Sequence, residues 1–220
     1  MKKALLVTFR IEGNLRFLSH QETLTMFYRA LVRADVDLRY SQGFNPRPKL
    51  SLPLPRSVGV QSDNERLFFS LSDKVQAFDT EQITERIGAE LPCGCEIINI
   101  DITTRGKTSF QPISAEYVFT LTDFEKAEKT KDGIEKLRRA IESENPVTVE
   151  RWAGKNKTRR RIDIGPYIDS IECRGLAIVV RCNITKAGSV RVDEILELLQ
   201  IEPSMISGPV QRRNVQWNEN

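Results

Sequence analysis

The sequence has no hydrophobic run long enough to cross a bilayer. Its longest apolar runs are ALLV near the start and LAIVV at Leu176–Val180, whereas a membrane-spanning helix needs about 20 apolar residues. The first residues, MKKALLVTFRIEG, are basic but include neither the hydrophobic stretch nor the cleavage site of a signal peptide. We therefore predict a cytoplasmic protein with no membrane partner.

Residue patterns of common catalytic and cofactor sites are also missing. The chain has no C-x-x-x-C-x-x-C cluster motif and no G-x-x-x-x-G-K-[ST] phosphate loop. Its four cysteines form one C-x-C at Cys93 and Cys95, with Cys173 and Cys182 far apart from it, whereas zinc sites usually pair cysteines as C-x-x-C. We predict no metal and no cofactor, and we assign no catalytic residue. His20 is the only histidine, so it is the one candidate for acid–base catalysis.

The positive charges are segregated although the net charge is only +3. One group of cations lies within residues 16–56, and a second lies in RWAGKNKTRRR at Arg151–Arg161. The first group consists of Arg16, Arg29, Arg33, Arg39, Arg47, Lys49 and Arg56. Such segregation can produce a positive face on a nearly neutral protein, although solvated surface charge is the alternative for either group.

Apolar spacing predicts the order strand–helix–strand–strand–helix–strand in residues 1–104. Ser19 and Glu22 form a capping-box pattern, which predicts that a helix begins there, with Leu24, Phe27, Tyr28 and Leu31 on one apolar stripe. The other elements are strands at Met1–Gly13, Asp37–Ser41, Arg66–Ser72 and CEIINIDIT, and a helix at Thr80–Leu91. This is the element order of a ferredoxin-like domain.

The same order is predicted again after a linker, TRGKTSFQPIS. The segments AEYVFTLT, TVERWAG, LAIVVRCN and ISGPVQRRNVQW indicate strands, and Asp123–Ser143 and Val192–Leu199 indicate helices. We therefore predict an α+β protein with two tandem ferredoxin-like (βαββαβ) domains, residues 1–104 and residues 113–220.

The stretch RYSQGFNPRPKLSLPL at Arg39–Leu54 combines a constrained backbone with positive charge. Gly43 permits an unusual backbone angle, and Pro46 and Pro48 restrict Arg47 between them, which lowers the entropic cost of binding. Its predicted RNA- or anion-binding residues are Tyr40, Ser41, Phe44, Asn45, Arg47 and Lys49. Aromatic faces beside cations suit RNA bases and phosphates. The alternative is a stiff crossover packed on its own sheet.

The second basic segment also places an aromatic residue among cations. Its candidate binding residues are Trp152, Lys155, Lys157, Arg159, Arg160 and Arg161. If the segment is a hairpin loop, the cations project together beside the indole, which suits an RNA backbone. A solvated hairpin tip is the alternative.

The segments RFLSHQETL and RALVRADVDLRYSQGFNPRPKLSLPLP resemble the N-terminal signature of the radical SAM-linked protein family. Members are uncharacterised bacterial proteins encoded beside, or fused to, a radical SAM enzyme with a B12-binding domain. The resemblance runs from Arg16 to about Glu65, and it implies a radical SAM protein with a B12-binding domain as partner rather than a reaction. The matching residues are Arg16, Ser19, His20, Arg29, Arg33, Tyr40, Ser41, Gly43, Phe44, Asn45, Pro46, Pro48 and Lys49. Of these, we predict that Arg16, His20, Arg29 and Arg33 also bind RNA or an anion.

Two positions depart from the signature of that family. Glu22 stands where the family usually has aspartate, and Arg47 stands where it usually has histidine between the prolines. Because arginine neither ligates metals nor loses its proton at neutral pH, we expect Arg47 to contact an anion.

Three functional hypotheses follow. The first is a non-catalytic RNA-binding or substrate-presenting partner of a radical SAM enzyme, with structured RNA as ligand. The second is a metal-independent RNA-processing endonuclease using His20, assisted by Tyr40 or Lys49, by analogy with the tandem ferredoxin-like endonucleases that process CRISPR repeats. The third is an adaptor that contacts only protein.

Overall fold

The computed structural model describes residues 4–73, 75, 79–103, 110–153 and 158–218, which form a mixed α+β structure with mostly antiparallel strands. The chain divides into two compact units, one of Met1–Pro112 with Trp217–Asn220 and one of Ile113–Gln216. Within the described residues, no helix is both long and apolar enough to cross a membrane.

The predicted strand at Asp37–Ser41 forms only isolated bridges at Leu38 and Tyr40, so the second strand of the first unit lies later than predicted. The described helices and strands of this unit otherwise follow the predicted order. They are β1 (Ala4–Ile11), α1 (His20–Arg33), β2 (Leu50–Ser51), β3 (Val60–Ser70), α2 (Thr80–Glu90) and β4 (Cys95–Thr103). Strand β1 lies between β4 and β3, and the short β2 pairs with the other edge of β3. These three pairings are all antiparallel.

Alternation in β1 explains the core of this unit. Leu5, Val7 and Phe9 alternate with residues on the other side of the strand and are buried in the core that also contains Phe27 of α1. The rings of Phe9 and Phe27 meet edge to face with centroids 4.6 Å apart. Burial of large aromatic side chains on both elements therefore fixes α1 against the sheet.

Helix α1 begins at the predicted capping box. The Ser19 hydroxyl accepts the main-chain N–H of Glu22, and Glu22 Oε2 accepts the main-chain N–H of Ser19 at 2.8 Å. The predicted apolar stripe is only partly buried, because Leu24 and Tyr28 remain half-buried beside the buried Phe27 and Leu31.

The remaining helices and strands belong to the second unit, except for the first two residues of β5 and the last two of β10. They are β5 (Gln111–Thr120), α3 (Phe124–Glu142), β6 (Thr148–Ala153), β7 (Thr158–Asp163), β8 (Ile168–Arg174), β9 (Ala177–Asn183), α4 (Val192–Leu198) and β10 (Val210–Asn218). Four of its strands lie in the order β10-β5-β9-β8, and β6 and β7 form a separate antiparallel hairpin.

The β6–β7 hairpin differs from the predicted order of strands in the second half of the chain. The part TVERWA of the predicted strand TVERWAG forms β6, but β6 pairs with β7, and β8 takes the place beside β9. Strand β7 has the sequence TRRRID. Its run of charged residues does not alternate with apolar ones, so the sequence pattern favours a loop. Antiparallel pairing with β6 nevertheless makes this segment a strand. The tandem ferredoxin-like arrangement and its domain limits stay predictions.

Arg56 is a cation that the sequence grouped with the surface charges but that the structure buries. Only 9% of it is exposed. Its guanidinium donates to the main-chain oxygens of Leu15, Arg16, Leu18 and Val60 at 2.5–3.3 Å. Arg56 therefore ties the 3₁₀ turn at Gly13–Phe17 and the approach to α1 to the start of β3.

We expect Arg56→Met to lower the free energy of unfolding by about 2–3 kcal/mol, because buried carbonyls would lose charged donors. Urea unfolding followed by circular dichroism measures this loss. Arg10→Met is the matched control, since Arg10 is half-exposed and pairs with exposed Glu96, and should cost less than about 1 kcal/mol. Equal unfolding midpoints for Arg56→Met and the native protein would contradict the structural role.

Candidate nucleic-acid interface

The proline-rich stretch folds into a hairpin, and we call its tip and the two residues after it, residues 41–49, the signature loop. The Lys49 N–H donates to the Arg39 carbonyl at 2.8 Å, and the Ser41 N–H donates to the Arg47 carbonyl at 2.8 Å. Between these two bonds Tyr40 lies opposite Pro48. That pair makes no hydrogen bond across the ladder, so proline fits there without loss of a donor.

The signature loop is closed by backbone contacts. The hydroxyl of Ser41 accepts the main-chain N–H of Arg47 at 2.9 Å, beside the Ser41–Arg47 backbone bond. Gly43 has φ +127°, which side chains other than glycine rarely tolerate. The bonds that close the loop therefore do not involve its cationic or aromatic side chains.

Those side chains face solvent. Phe44 is fully exposed, and Asn45, Arg47 and Lys49 are also exposed. Neither Arg47 nor Lys49 makes a side-chain hydrogen bond or ion pair with any residue that the structure describes. An exposed aromatic ring beside two uncompensated cations offers one surface for stacking and two charges for phosphate.

Tyr40 connects the base of the hairpin to α1. Its hydroxyl lies 3.5 Å from that of Tyr28, and it remains 37% exposed. The hydrogen bond with Tyr28 raises the pKa of Tyr40, so its phenol stays protonated at neutral pH. Tyr28 was missed as a site residue because its position on the apolar stripe indicated the core.

The arginines of the α1 region do not share one environment. Arg16 donates to the Gly13 carbonyl at 2.8 Å, and its guanidinium lies 4.3 Å from the ring centre of exposed Phe17. Arg29 and Arg33 line a groove between α1 and the end of α2, formed by residues that do not belong to the signature loop. The predicted site had included all three, but Arg16 lies on the Gly13–Phe17 turn, whereas Arg29 and Arg33 lie together on α1.

His20 occupies the first position of α1 and is half-buried. Its Nδ1 is buried and has no hydrogen-bond partner among the residues described. Burial lowers the pKa of His20 because the charged ring loses hydration. The imidazole is therefore neutral at pH 7 and is not a phosphate-binding cation. A neutral ring is the form that the endonuclease hypothesis requires of a general base.

Strand alternation divides the second basic segment between two faces of its hairpin. Trp152 pairs with Arg159, whose guanidinium lies 5.0 Å from the indole ring centre, and Arg161 pairs with Glu150 on the same face. Arg160 pairs with Arg151 on the other face. The prediction that all its cations project together is therefore wrong for Arg160. Lys155 and Lys157 lie outside the described residues.

On one face of this hairpin an ion pair partly neutralises the positive charge. On the other face Arg151 is bound to the start of α4. Arg159 forms an ion pair with Glu150 at 3.1 Å, and exposed Arg161, on the same face as Trp152, has no ion-pair partner among the described residues. Arg151 donates from Nε and Nη2 to the two carboxylate oxygens of buried Glu194 at 2.6 and 2.8 Å. Sequence reasoning missed this anchor because the two residues are far apart in the chain.

The cysteines give no common site in the structure. Cys95 and Cys182 are buried, Cys173 is half-buried and Cys93 is exposed. Burial raises the pKa of Cys95 to about 12, so this thiol stays protonated at neutral pH. Within the described ranges, no cluster of three metal-binding side chains occurs.

Comparison with known proteins gives one family match and distant structural matches. The model of the family described as "Uncharacterized protein conserved in bacteria (DUF2344)" matches residues 4–195. None of the curated proteins matches the sequence. A chain in the crystal structure of a Cbf5-Nop10-Gar1 complex is 9% identical with a TM-score of 0.43, and the match covers 96% of this chain and 48% of that one.

A second structural match is an unknown protein from Galdieria sulphuraria. It is 10% identical with a TM-score of 0.24, and the match covers 91% of this chain and 90% of that chain. The chain thus spans about half the length of the Cbf5-Nop10-Gar1 chain that it matches. It spans nearly all of the Galdieria protein.

We expect His20 to titrate below the ordinary value of 6.5 in the folded protein, because its ring is partly desolvated. Just below pH 6.5 the unfolded chain then binds more protons at His20 than the folded chain does. The free energy of unfolding therefore decreases as the pH falls through that range. Imidazole resonances in an NMR titration of untagged protein report a single histidine. His20→Gln removes this component of the pH dependence. A titration midpoint at or above 6.5 would contradict the burial argument.

Proposed function

The chain belongs to the DUF2344 family of uncharacterised proteins conserved in bacteria, and we propose that it is a non-catalytic RNA-binding protein that presents RNA to a radical SAM enzyme. The proposal depends on one observation above the others: Phe44, Arg47 and Lys49 are all exposed on one hairpin whose tip is closed by its own backbone. The radical SAM partner rests on the resemblance of the segment from Arg16 to about Glu65.

The chemistry of the signature loop favours RNA with unpaired bases. A single-stranded base exposes a flat face that can stack on Phe44, and stacking contributes about 1–3 kcal/mol per base. The two cations follow within five residues and can contact neighbouring phosphates. Because the loop is already closed by the Ser41–Arg47 contacts, little backbone ordering is required on binding.

The second hairpin provides a similar pair of groups. Trp152 is 63% exposed, Arg159 lies near its ring, and Arg161 on the same face has no ion-pair partner within the part of the chain that the structure describes. This combination of indole and arginine also suits RNA, although the Glu150–Arg159 ion pair reduces its net charge. We therefore assign the second hairpin an auxiliary role.

We also propose that each unit is a ferredoxin-like domain. In the first unit the strand order β4-β1-β3-β2 follows the element order βαββαβ. In the second unit β10-β5-β9-β8 repeats that arrangement when the β6–β7 hairpin is treated as an insertion after α3. These orders support the tandem proposal.

RNA binding through the signature loop predicts a defined response to substitution and salt. We expect Arg47→Glu with Lys49→Glu to weaken binding of a labelled stem-loop RNA and to reduce the slope of log K against log salt by about two, one for each lost phosphate contact. Phe44→Ala should weaken binding by about 1–3 kcal/mol with an unchanged salt slope. Fluorescence anisotropy over a salt series measures both quantities.

Lys136→Glu with Arg139→Glu is the matched control. Both residues are exposed on α3 and have no ion pair in the described structure, so this variant has the same net charge as the loop variant. Binding that is insensitive to salt, or an equal loss in both double variants, would overturn the proposal.

The same protein preparation separates the two alternative hypotheses. Incubation with cellular RNA in chelator should leave the RNA intact. Cleavage that is lost in His20→Ala would instead establish the endonuclease. The adaptor hypothesis makes a different prediction. The native chain would bind no RNA and would retain a radical SAM protein after nuclease treatment, and Phe44→Ala would lose that protein.

A further inference from the structure

A groove in the first unit lies apart from the signature loop and has the size of a small-molecule site. Its walls are α1, the segment around the Gly13–Phe17 turn, and the end of α2, and its volume is about 590 Å³. Pockets for small ligands commonly have volumes of about 300–1,000 Å³. We call it the α1–α2 groove, defined by Leu18, Met26, Arg29, Arg33, Glu90 and Leu91.

Two arginines supply positive charge along one wall. Arg29 and Arg33 are one helical turn apart on α1, so their side chains are neighbours. Both are exposed, and neither makes an ion pair or side-chain hydrogen bond with a residue in the described ranges. Guanidinium groups bind phosphate oxygens with two parallel hydrogen bonds, so this pair suits a phosphate.

The two carboxylates of the groove differ in availability. Glu22 Oε2 accepts the N–H of Ser19 at 2.8 Å and its hydroxyl at 2.7 Å, so the helix cap already engages this group. Glu90 ends α2 and has no cationic partner among the described residues. Its carboxylate is therefore an available acceptor for an N–H donor of a ligand.

Apolar side chains form most of the remaining lining of the groove. Leu18, Met26 and Leu91 are half-buried there. The flexible thioether of Met26 adapts to flat ligands. A ligand that matches all three parts needs an anionic group, a flat or apolar body and an amino donor.

We propose that the α1–α2 groove binds a nucleoside 5′-monophosphate unit. Its phosphate contacts Arg29 and Arg33, its base packs over Leu18, Met26 and Leu91, and an exocyclic amino group donates to Glu90. The unit can be a free nucleotide or one nucleotide of a bound RNA. The site goes beyond the proposed function, because a free nucleotide can occupy it whether or not the signature loop binds RNA.

Isothermal titration calorimetry of the full chain with separate nucleotides tests the proposal. We expect CMP to bind about fivefold tighter than UMP, because only cytosine has an amino group at the position where uracil has a carbonyl. Inorganic phosphate and cytidine should each bind far more weakly than CMP. Arg29→Gln and Arg33→Gln should each weaken CMP binding about tenfold, and Glu90→Ala should remove the preference for CMP over UMP.

Arg139→Gln is the matched control, since Arg139 is an exposed helical arginine outside the groove, and it should leave CMP binding unchanged. Urea midpoints verify that each variant is folded. Absence of nucleotide binding, or equal binding by Arg33→Gln and the native chain, overturns the proposal. Inorganic phosphate binding as tightly as CMP overturns the placement of the base.

Competition distinguishes the two sources of the nucleotide. If saturating RNA displaces CMP and Arg33→Gln also weakens RNA binding, the groove holds a nucleotide of the RNA. If RNA leaves CMP binding unchanged, the ligand is a free nucleotide. Loss of RNA binding in Arg47→Glu with intact CMP binding supports both proposals independently, whereas CMP binding in a chain that binds no RNA overturns only the proposed function.

Discussion

Backbone closure of the signature loop is the constraint on which the candidate interface depends. Hydrogen bonds between Ser41 and Arg47 use main-chain groups and one hydroxyl, and Gly43 supplies the backbone angle that the turn requires. The loop therefore keeps its shape without burying Phe44 or pairing the side chains of Arg47 and Lys49 with carboxylates. A loop that folded around those side chains would have no free groups for a ligand.

The rest of the first unit supports that loop at defined points. The hydroxyls of Tyr28 and Tyr40 join α1 to the base of the hairpin, and the α1 capping box fixes where the helix begins. Arg56 holds the preceding turn through main-chain oxygens, so the N-terminal approach to α1 does not depend on side-chain packing alone. The same helix presents Arg29 and Arg33 to the α1–α2 groove, so it contributes to both candidate sites.

Local sequence signals predicted local features well. The Ser19–Glu22 box and the glycine of the signature loop each act within a few residues, and the structure has the expected feature at both. Contacts between distant residues were not predictable in this way. The Arg151–Glu194 ion pair, the burial of Arg56 and the pairing of TRRRID as β7 all depend on which segments meet. Alternation along β7, once the strand is known, explains why Arg160 is separated from Arg159 and Arg161.

Ultraviolet crosslinking of the native protein to RNA, followed by mass spectrometry of the crosslinked peptides, tests the central claim most directly. The account predicts that nucleotides attach within the segment from Gly43 to Lys49, with Phe44 as the principal position. Crosslinks confined to other parts of the chain, with Phe44 and Lys49 unmodified, would contradict it.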